Sequence, residues 1–316
     1  GLDVGRGDDI AVLEVAQVEL DAGLEAPLER HLVDRDCRLP GAKRLVHRRV
    51  EVVGRVQVCA VVDEIQLIGG AGPSPDGEEF DRLWKEMRIL KADLVDEHYY
   101  RPPQWFLDNA RRYDRYDRSG PKVFAGEYAA HSRFQTDQPE SRNNWEAALA
   151  EAAFLTGIER NCDVVKLASY APLFSHTEGW QWRPDLIWFD NHRCVATPNY
   201  FVQQLFSVNK GTHVLKSHYN GEALAGQDSL YASAILDQGT GEIIVKLINV
   251  AFVPGKIMIS LPGKTIAKKQ ARLTTLRSVD PAAFNSLDHP EVIKPVETTL
   301  TLSGKKPVIT MESRSV

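Results

Sequence analysis

A carboxylate follows an apolar run in the middle of this sequence, where a buried strand is expected to give way to a loop. Val123 to Gly126 form the run, Glu127 follows it, and small residues come next. Because burying an unpaired carboxylate is costly, a charge at this position indicates either a partner or a chemical task. Taken alone, Glu127 is as compatible with a structural ion pair as with catalysis.

The preceding predicted strand ends in five consecutive residues that can also do chemistry, namely Asp96, Glu97, His98, Tyr99 and Tyr100. Side chains alternate between the two faces of a strand, so His98 and Tyr100 share a face with Asp96. Glu97 and Tyr99 point the other way. This parity makes Asp96 a candidate for a hydrogen bond to His98, and it gives Glu97 a helix-packing or salt-bridge role.

Tryptophans further along the chain offer flat apolar surfaces on which a sugar ring can stack, and Trp180, Trp182 and Trp188 are the candidates. A carboxylate beside a histidine, a tyrosine and such rings is the set that glycoside hydrolysis needs. There one carboxylate attacks the anomeric carbon, and a second, about 5 to 5.5 Å away, protonates the leaving oxygen. His176 and Glu178 lie in a predicted loop near Trp180 and are candidates for the rim of a subsite.

Helices and strands alternate around these groups, which predicts parallel βα units. In a (β/α)₈ barrel the active site lies at the C-terminal ends of the strands, where the candidate residues are found. The predicted strands cover residues 94–100, 122–128 and 163–170, and the predicted helices cover 80–90, a segment from 102, 144–160 and 198–209.

Beyond Gly211 the pattern changes to short strands separated by Gly and Pro residues. The segment "LYASAILDQGTGEIIVKLINVAF" predicts two strands around a turn at residues 238–241. Three further strand-like segments follow, so we expect a β-sandwich of about 100 residues. The predicted organisation is therefore an atypical segment over 1–72, βα units over 73–210 and a sandwich over 211–316.

Residues 1–72 contain no Ser, Thr, Asn, Phe, Tyr, Trp or Met. Aromatic residues normally anchor cores, and Ser, Thr and Asn supply caps and turns, so their joint absence departs from ordinary usage. Two interpretations stay open: an off-frame or chimeric translation, and a biased but genuine α/β segment. Comparison of the coding DNA in all reading frames distinguishes them.

Bulk composition argues against several classes of partner. The net charge is −5, and the basic residues are scattered, so neither nucleic acid nor an anionic membrane is an expected partner. No apolar run is long enough to span a bilayer, and the N-terminus lacks signal-peptide features, although cytoplasm and exterior are not distinguished. The four cysteines have no metal or disulfide spacing and are expected to be free, mostly packing thiols: Cys37, Cys59, Cys162 and Cys194.

A specific resemblance covers the chain from about residue 73 to its C-terminus. The ordered segments "LVDEHYYRPPQWF", "GPKVFAGEYAAHS", "QWRPDLIWFDN" and "TPNYFVQQLFSVNKG" resemble the α-L-arabinofuranosidases of glycoside hydrolase family 51. The resemblance implies a (β/α)₈ TIM barrel followed by a jelly-roll β-sandwich. It also implies retaining removal of terminal α-L-arabinofuranosyl groups from arabinan, arabinoxylan or arabino-oligosaccharides, without a metal or an organic cofactor.

The resemblance implies roles for four residues. Glu127, on the seventh barrel strand, would be the nucleophile. His98 and Tyr100, on the sixth strand, would hold the sugar and the nucleophile. Trp182, in the loop after the eighth strand, would line the sugar site.

The sequence departs from the family in its first third. Family members carry the acid/base in an Asn-Glu signature on the fourth strand, and no Asn-Glu pair occurs upstream of residue 73. Six βα units need roughly 200 residues at barrel spacing, yet 121 precede Lys122. We therefore expect an incomplete barrel. A noncatalytic carbohydrate-binding or truncated product is the alternative function, and exposed strand edges predict a homo-oligomer or poor solubility.

Overall fold

The computed structural model describes residues 10–16, 66–261, 266–304 and 306–316. Side chains are described in all of these ranges except 10–16 and 266–269. Most of the atypical segment 1–72 lies outside the described residues, as do Cys37 and Cys59, and the domain boundaries at 72 and 210 stay predictions.

Strands dominate the second half of the chain and alternate with helices in the first. The α-helices are α1 (Glu78–Leu90), α2 (Pro103–Asp108), α3 (Trp145–Arg160) and α4 (Pro198–Val208). The strands are β1 (Ile10–Ala16), β2 (Ile68–Gly70), β3 (Leu94–Arg101), β4 (Lys122–Ala130), β5 (Val165–Tyr170), β6 (Phe174–His176), β7 (Ile187–Phe189), β8 (Cys194–Ala196), β9 (His213–His218), β10 (Leu230–Asp237), β11 (Glu242–Asn249), β12 (Gly255–Ser260), β13 (Ile266–Thr275), β14 (Val296–Gly304) and β15 (Val308–Met311).

Side-chain caps fix where the two longer buried helices begin. The Asn144 side chain accepts a hydrogen bond from the Ala147 backbone N–H at the start of α3. Thr197 does the same for Tyr200 in α4, where Pro198 occupies the first turn. These side chains satisfy backbone donors that have no partner inside the helix. The predicted helices and the three predicted strands of the first half are confirmed to within a few residues.

A four-stranded parallel sheet, in the order β2-β3-β4-β5, positions the candidate residues. This is half the strand number of a TIM barrel, and the sheet does not close on itself within the described residues. Helix α3 packs against this sheet, and twelve of its thirteen residues from Trp145 to Gly157, all except Glu146, are buried. The prediction of βα units from an incomplete barrel is therefore confirmed.

The C-terminal strands form a six-stranded sheet in the order β11-β10-β9-β1-β12-β15 and a separate pair, β13-β14. All neighbours are antiparallel except β1 and β12. The predicted antiparallel run beyond Gly211 is confirmed. The contribution of β1 to this sheet was not predicted from the sequence.

Helix α3 also joins the two sheets, since it packs against α2, α4, β4 and β10. Strand β10 is buried on both faces: Tyr231 belongs to the core around α3, while Ala232 and Ala234 belong to a second core inside the C-terminal sheets. A buried ion pair between Glu159 of α3 and Lys246 of β11 reinforces this contact.

The two cysteines in the described part of the chain lie at the surface. Cys162 and Cys194 are free, as predicted, but both are exposed, so the predicted packing role is wrong for these two thiols. A long apolar helix of the kind that crosses a membrane is not found in the described part of the chain.

Candidate active site

Adjacent parallel strands bring the predicted polar residues together. His98 of β3 lies level with Glu127 of β4, after an irregularity in the pairing between Glu97 and His98. The Tyr100 hydroxyl donates to Glu127 Oε2 at 2.9 Å, and His98 Nδ1 lies 3.5 Å from the same oxygen. The predicted proximity of carboxylate, imidazole and phenol is confirmed, while their roles stay predictions.

Asp96 supports the other side of the imidazole. Its Oδ2 lies 3.2 Å from His98 Nε2, which is the contact that strand parity predicted, and the histidine is thus held between two carboxylates. Gly126 makes room for this arrangement, because a Cβ at that position would lie 2.0 Å from Asp96 Oδ1. The glycine before Glu127 is thus required by the close approach of a neighbouring strand's side chain.

The surroundings keep the phenol protonated and leave the carboxylate accessible. Burial and the hydrogen bond to Glu127 together raise the pKa of Tyr100 well above its ordinary value, so it stays a donor at neutral pH. The Glu127 side chain is 45% exposed, which leaves it open to a ligand. Glu127 lies within β4, three residues before its end, and not at the strand terminus as predicted.

A second histidine covers the tyrosine. The His131 ring centroid is 5.7 Å from that of Tyr100. Burial, helped by the nearby Arg142 guanidinium, lowers the pKa of His131 to about 4, so its imidazole is neutral at physiological pH. It therefore shields Tyr100 without adding charge to the site.

Glu97 faces away from this group, as predicted, and is fully buried behind the sheet. Its oxygens accept hydrogen bonds from one indole, three phenols and one guanidinium: Trp84, Tyr99, Tyr113, Tyr116 and Arg112. The predicted packing and salt-bridge role is confirmed. Tyr99 belongs to β3 itself, and the other four donors hold α1, the 3₁₀ turn Arg112–Arg115 and the residue after it against the back of β3.

Sequence reasoning missed Asp185. This residue is 2% exposed, its Oδ2 has no hydrogen-bond partner in the described residues, and burial raises its pKa to about 7. Its charge also contributes to the raised pKa of Tyr100. The signal was available, because Asp185 precedes the apolar run Leu186–Phe189 much as Glu127 follows one.

The three candidate tryptophans differ in exposure. Trp182 is 67% exposed and lines a cavity of about 330 Å³ together with Asp185. Trp180 is partly exposed and packs against the Arg183 guanidinium. Trp188 is fully buried and donates to Asn143 Oδ1, so it cannot stack on a sugar. His176 lies on β6, not in a loop as predicted, and lines the same cavity as Trp182.

The arrangement can perform nucleophilic chemistry. A partly exposed carboxylate oriented by a phenol and an imidazole is suited to attack on an electrophilic carbon, with the neutral hydroxyl stabilising its negative charge. No group of three or more His, Cys, Asp or Glu side chains with metal-site geometry occurs among the described residues.

Comparisons with known proteins place this arrangement in a family context. Residues 126–315, more than half of the chain, match the family described as the α-L-arabinofuranosidase C-terminal domain. An extracellular exo-α-L-arabinofuranosidase of Streptomyces chartreusis is 48% identical over 163 residues, which cover 52% of this chain and 18% of that protein. α-L-Arabinofuranosidase 1 of Arabidopsis thaliana is 33% identical over 229 residues, covering 71% of this chain and 32% of that protein. The chain thus spans less than a third of either relative.

Solved structures agree with the fold. An arabinose-bound α-L-arabinofuranosidase of glycoside hydrolase family 51 superposes with a TM-score of 0.64 at 31% identity, over 71% of this chain and 36% of that one. The arabinose complex of the Thermotoga maritima enzyme gives a TM-score of 0.62 at 18% identity, over 79% of this chain and 56% of that one, and bears on fold alone. The predicted fold class, part of a TIM barrel followed by a β-sandwich, is confirmed.

Proposed function

We propose that this chain, which belongs to the family of the α-L-arabinofuranosidase C-terminal domain, carries the nucleophile half of a retaining α-L-arabinofuranosidase site. The observation that carries the proposal is the contact of Glu127 Oε2 with both the Tyr100 hydroxyl and the His98 imidazole. The substrate class would be terminal α-L-arabinofuranosyl groups of arabinan, arabinoxylan or arabino-oligosaccharides.

Each residue has a distinct part in this reaction. Glu127 attacks the anomeric carbon and forms a glycosyl ester, while the bond from that carbon to the leaving oxygen breaks. Tyr100 and His98 orient the attacking carboxylate, and Asp96 fixes the imidazole. Trp182, which lines a cavity together with Asp185, would contact the sugar.

A reagent that needs no acid catalyst tests the nucleophile directly. A 2-fluoro arabinofuranoside with a good leaving group should label the wild-type chain with one sugar, detected by intact-protein mass spectrometry and mapped to Glu127. Glu127→Gln should not be labelled. Asp108→Asn, which changes an exposed carboxylate on α2, should be labelled like wild type. Labelling that persists in Glu127→Gln would refute the assignment.

A noncatalytic sugar-binding role is the second candidate, and the exposed ring of Trp182 beside a cavity favours it. Isothermal titration with an arabino-oligosaccharide, followed by analysis for released arabinose, separates the two: binding without release and without labelling supports this second role.

A further inference from the structure

We propose that Arg142 and Arg183, here called the arginine pair, form a carboxylate-binding site that selects oligosaccharides carrying a uronic acid. This inference rests on the proposed function and deepens it, because it names an acidic, arabinose-bearing polysaccharide as the substrate class. The two guanidiniums come from different loops, and the fold brings those loops together without using a carboxylate of its own.

A shared backbone carbonyl brings the two loops together. Arg142 lies in the connection between β4 and α3, and Arg183 lies in the connection between β6 and β7. The carbonyl oxygen of Thr136 is 3.5 Å from Arg183 Nη1 and 3.4 Å from the hydroxyl oxygen of Ser141. Arg183 therefore lies beside the residue that immediately precedes Arg142.

A second contact fixes the loops on the other side of the arginine pair. Asn143, which follows Arg142, is fully buried, and its Oδ1 accepts a hydrogen bond from the Asp185 backbone N–H at 3.1 Å. The same oxygen accepts from the Trp188 indole at 3.1 Å. Because buried polar contacts of this kind hold the backbone on both sides of Arg142, the positions of the two arginines are preorganised.

The arginine pair has no counter-charge in the described part of the chain. Among the described residues neither guanidinium forms an ion pair, even with Glu140 or Asp185, the nearest carboxyls in sequence. Arg142 Nε is also buried there without a hydrogen-bond partner. Burial and the charge of Arg183 lower the pKa of Arg142, which shows that holding these like charges together is unfavourable. An anionic ligand would remove this cost.

The guanidiniums are accessible and oriented for such a ligand. Both arginines are partly exposed. Arg183 Cζ lies 4.9 Å from the ring centroid of Trp180, a cation–π contact that uses the face of the guanidinium and leaves its N–H edge available. The planar fork of a guanidinium matches a carboxylate, which it binds through two parallel N–H···O hydrogen bonds.

Contacts on both loops connect the arginine pair with the proposed sugar site. Arg183 directly follows Trp182, which lines the cavity of about 330 Å³. The loop that carries Arg142 begins at His131, whose ring centroid is 5.7 Å from that of Tyr100, the phenol that donates to the proposed nucleophile. An anion bound by the pair would therefore belong to the same ligand as the arabinofuranosyl group. The carboxylate of a uronic acid is the anionic group that a polysaccharide offers there.

Isothermal titrations with two ligands that differ only in charge test this inference. The acidic ligand is an arabinoxylan oligosaccharide that carries one glucuronic acid, and the neutral ligand is the same oligosaccharide with that carboxyl reduced to a hydroxymethyl group. Both are titrated into Glu127→Gln, which prevents turnover. We expect the acidic ligand to bind about tenfold more tightly, the order of one charge-assisted contact. Adding Arg142→Gln or Arg183→Gln should abolish this preference and leave the neutral ligand unaffected.

Three further measurements control for charge, geometry and folding. Arg82→Gln, at an exposed arginine of α1, should keep the full preference for the acidic ligand. Arg183→Lys keeps the charge but loses the planar fork, so it should keep only part of the preference. Arg142→Gln removes an unpaired, partly buried charge, so its urea denaturation midpoint should equal or exceed that of wild type. A lower midpoint would show that Arg142 is structural and would overturn the inference.

The outcomes separate this inference from the proposed function. Equal affinity for the two ligands, or equal weakening of both in Arg183→Gln, overturns the carboxylate site even when Glu127 is labelled by the fluorinated reagent. If Glu127 is not labelled but the arginine pair still selects the acidic ligand, the site stands and catalysis by Glu127 fails. A chain that binds neither ligand overturns the site. Inorganic phosphate that binds as tightly as the acidic oligosaccharide would also overturn the uronic acid assignment.

Discussion

Two glutamates on neighbouring strands show how surroundings set the role of the same residue type. Glu97 is fully buried and accepts five hydrogen bonds behind β3, which leaves no room for a ligand. Glu127 is half-exposed in front of β4 and contacts two orienting groups. A carboxylate saturated with donors stabilises structure, whereas one with open lone pairs can react.

Replacing Gly126 by alanine should damage the site locally. The added Cβ would lie 2.0 Å from Asp96 Oδ1, so Asp96 must move away from His98. We expect the free energy of unfolding to fall by about 1–3 kcal/mol, measured by urea denaturation, and labelling of Glu127 to slow. Gly120→Ala, where the nearest atom is 3.5 Å away, should behave like wild type. Equal stability of the two variants would contradict this prediction.

Glu151 on α3 should make stability depend on pH. Burial raises the pKa of its carboxyl to about 8, although the Ala130 N–H bond opposes this shift. A raised folded-state pKa gives stability that is fully present at acid pH and is lost as pH rises through about 8. Because Asp185 also titrates at a raised pKa, of about 7, only part of the total slope belongs to Glu151.

The test is Glu151→Gln, followed by denaturation at pH values from 5 to 9. Glu151 should make the wild-type free energy of unfolding fall by up to about 1.4 kcal/mol per pH unit, and the variant should lack this fall. The stability of the variant relative to wild type should therefore increase with pH. Glu146→Gln, on the same helix, is the control and should keep the wild-type slope. An unchanged slope in Glu151→Gln would show that this carboxyl does not titrate in that range.

At the scale of elements, sequence patterns predicted the structural features that depend on residues close together in the chain. They missed the features that depend on pairing between distant strands. Alternation along β3 correctly placed Asp96, His98 and Tyr100 opposite Glu97, because period two is a local property. Strands β6 and β7 have three residues each, too few to show a period, so the sheet that carries Phe174 and His176 was read as a loop. The irregularity in the β3–β4 pairing after Glu97 depends on contacts between two strands, so amino-acid composition does not predict it.

Glu97 and its five hydrogen-bond donors form a cluster that stabilises the contact of α1 and the Arg112–Arg115 turn with β3. Glu97→Gln keeps the shape but leaves the largely buried Arg112 without its counter-charge. We expect a loss of about 3–5 kcal/mol in the free energy of unfolding. Glu86→Gln, which breaks an exposed pair with Arg82, should cost less than about 1 kcal/mol. Similar losses in both variants would count against the cluster as a support.

At the scale of the whole molecule, the four-stranded sheet leaves apolar side chains in water. Ile68 on β2 is 50% exposed, and Leu167 on β5 is 51% exposed. In a closed barrel such positions are buried by the remaining strands. The open sheet thus has exposed apolar side chains that association would bury, and the homo-oligomer that the sequence predicted stays a prediction.

Light scattering during gel filtration tests this expectation. Wild type should show a mass that rises with concentration, and Leu167→Ser should lower that mass because it removes exposed apolar area from the sheet. Val292→Ser, at an exposed valine far along the chain between β13 and β14, should leave the mass unchanged. A concentration-independent monomer would rule out association through this sheet.

Strand β1 sits between β9 and β12, so residues near 10 bridge two strands that are synthesised about 200 and 250 residues later. During translation this segment cannot form these pairs until β9 and β12 have left the ribosome. Loop closure over such separations is slow, which makes completion of this sheet a late event on the folding pathway. In a protein organised in this way, β1 can meet wrong partners during the time that separates its synthesis from that of β9 and β12.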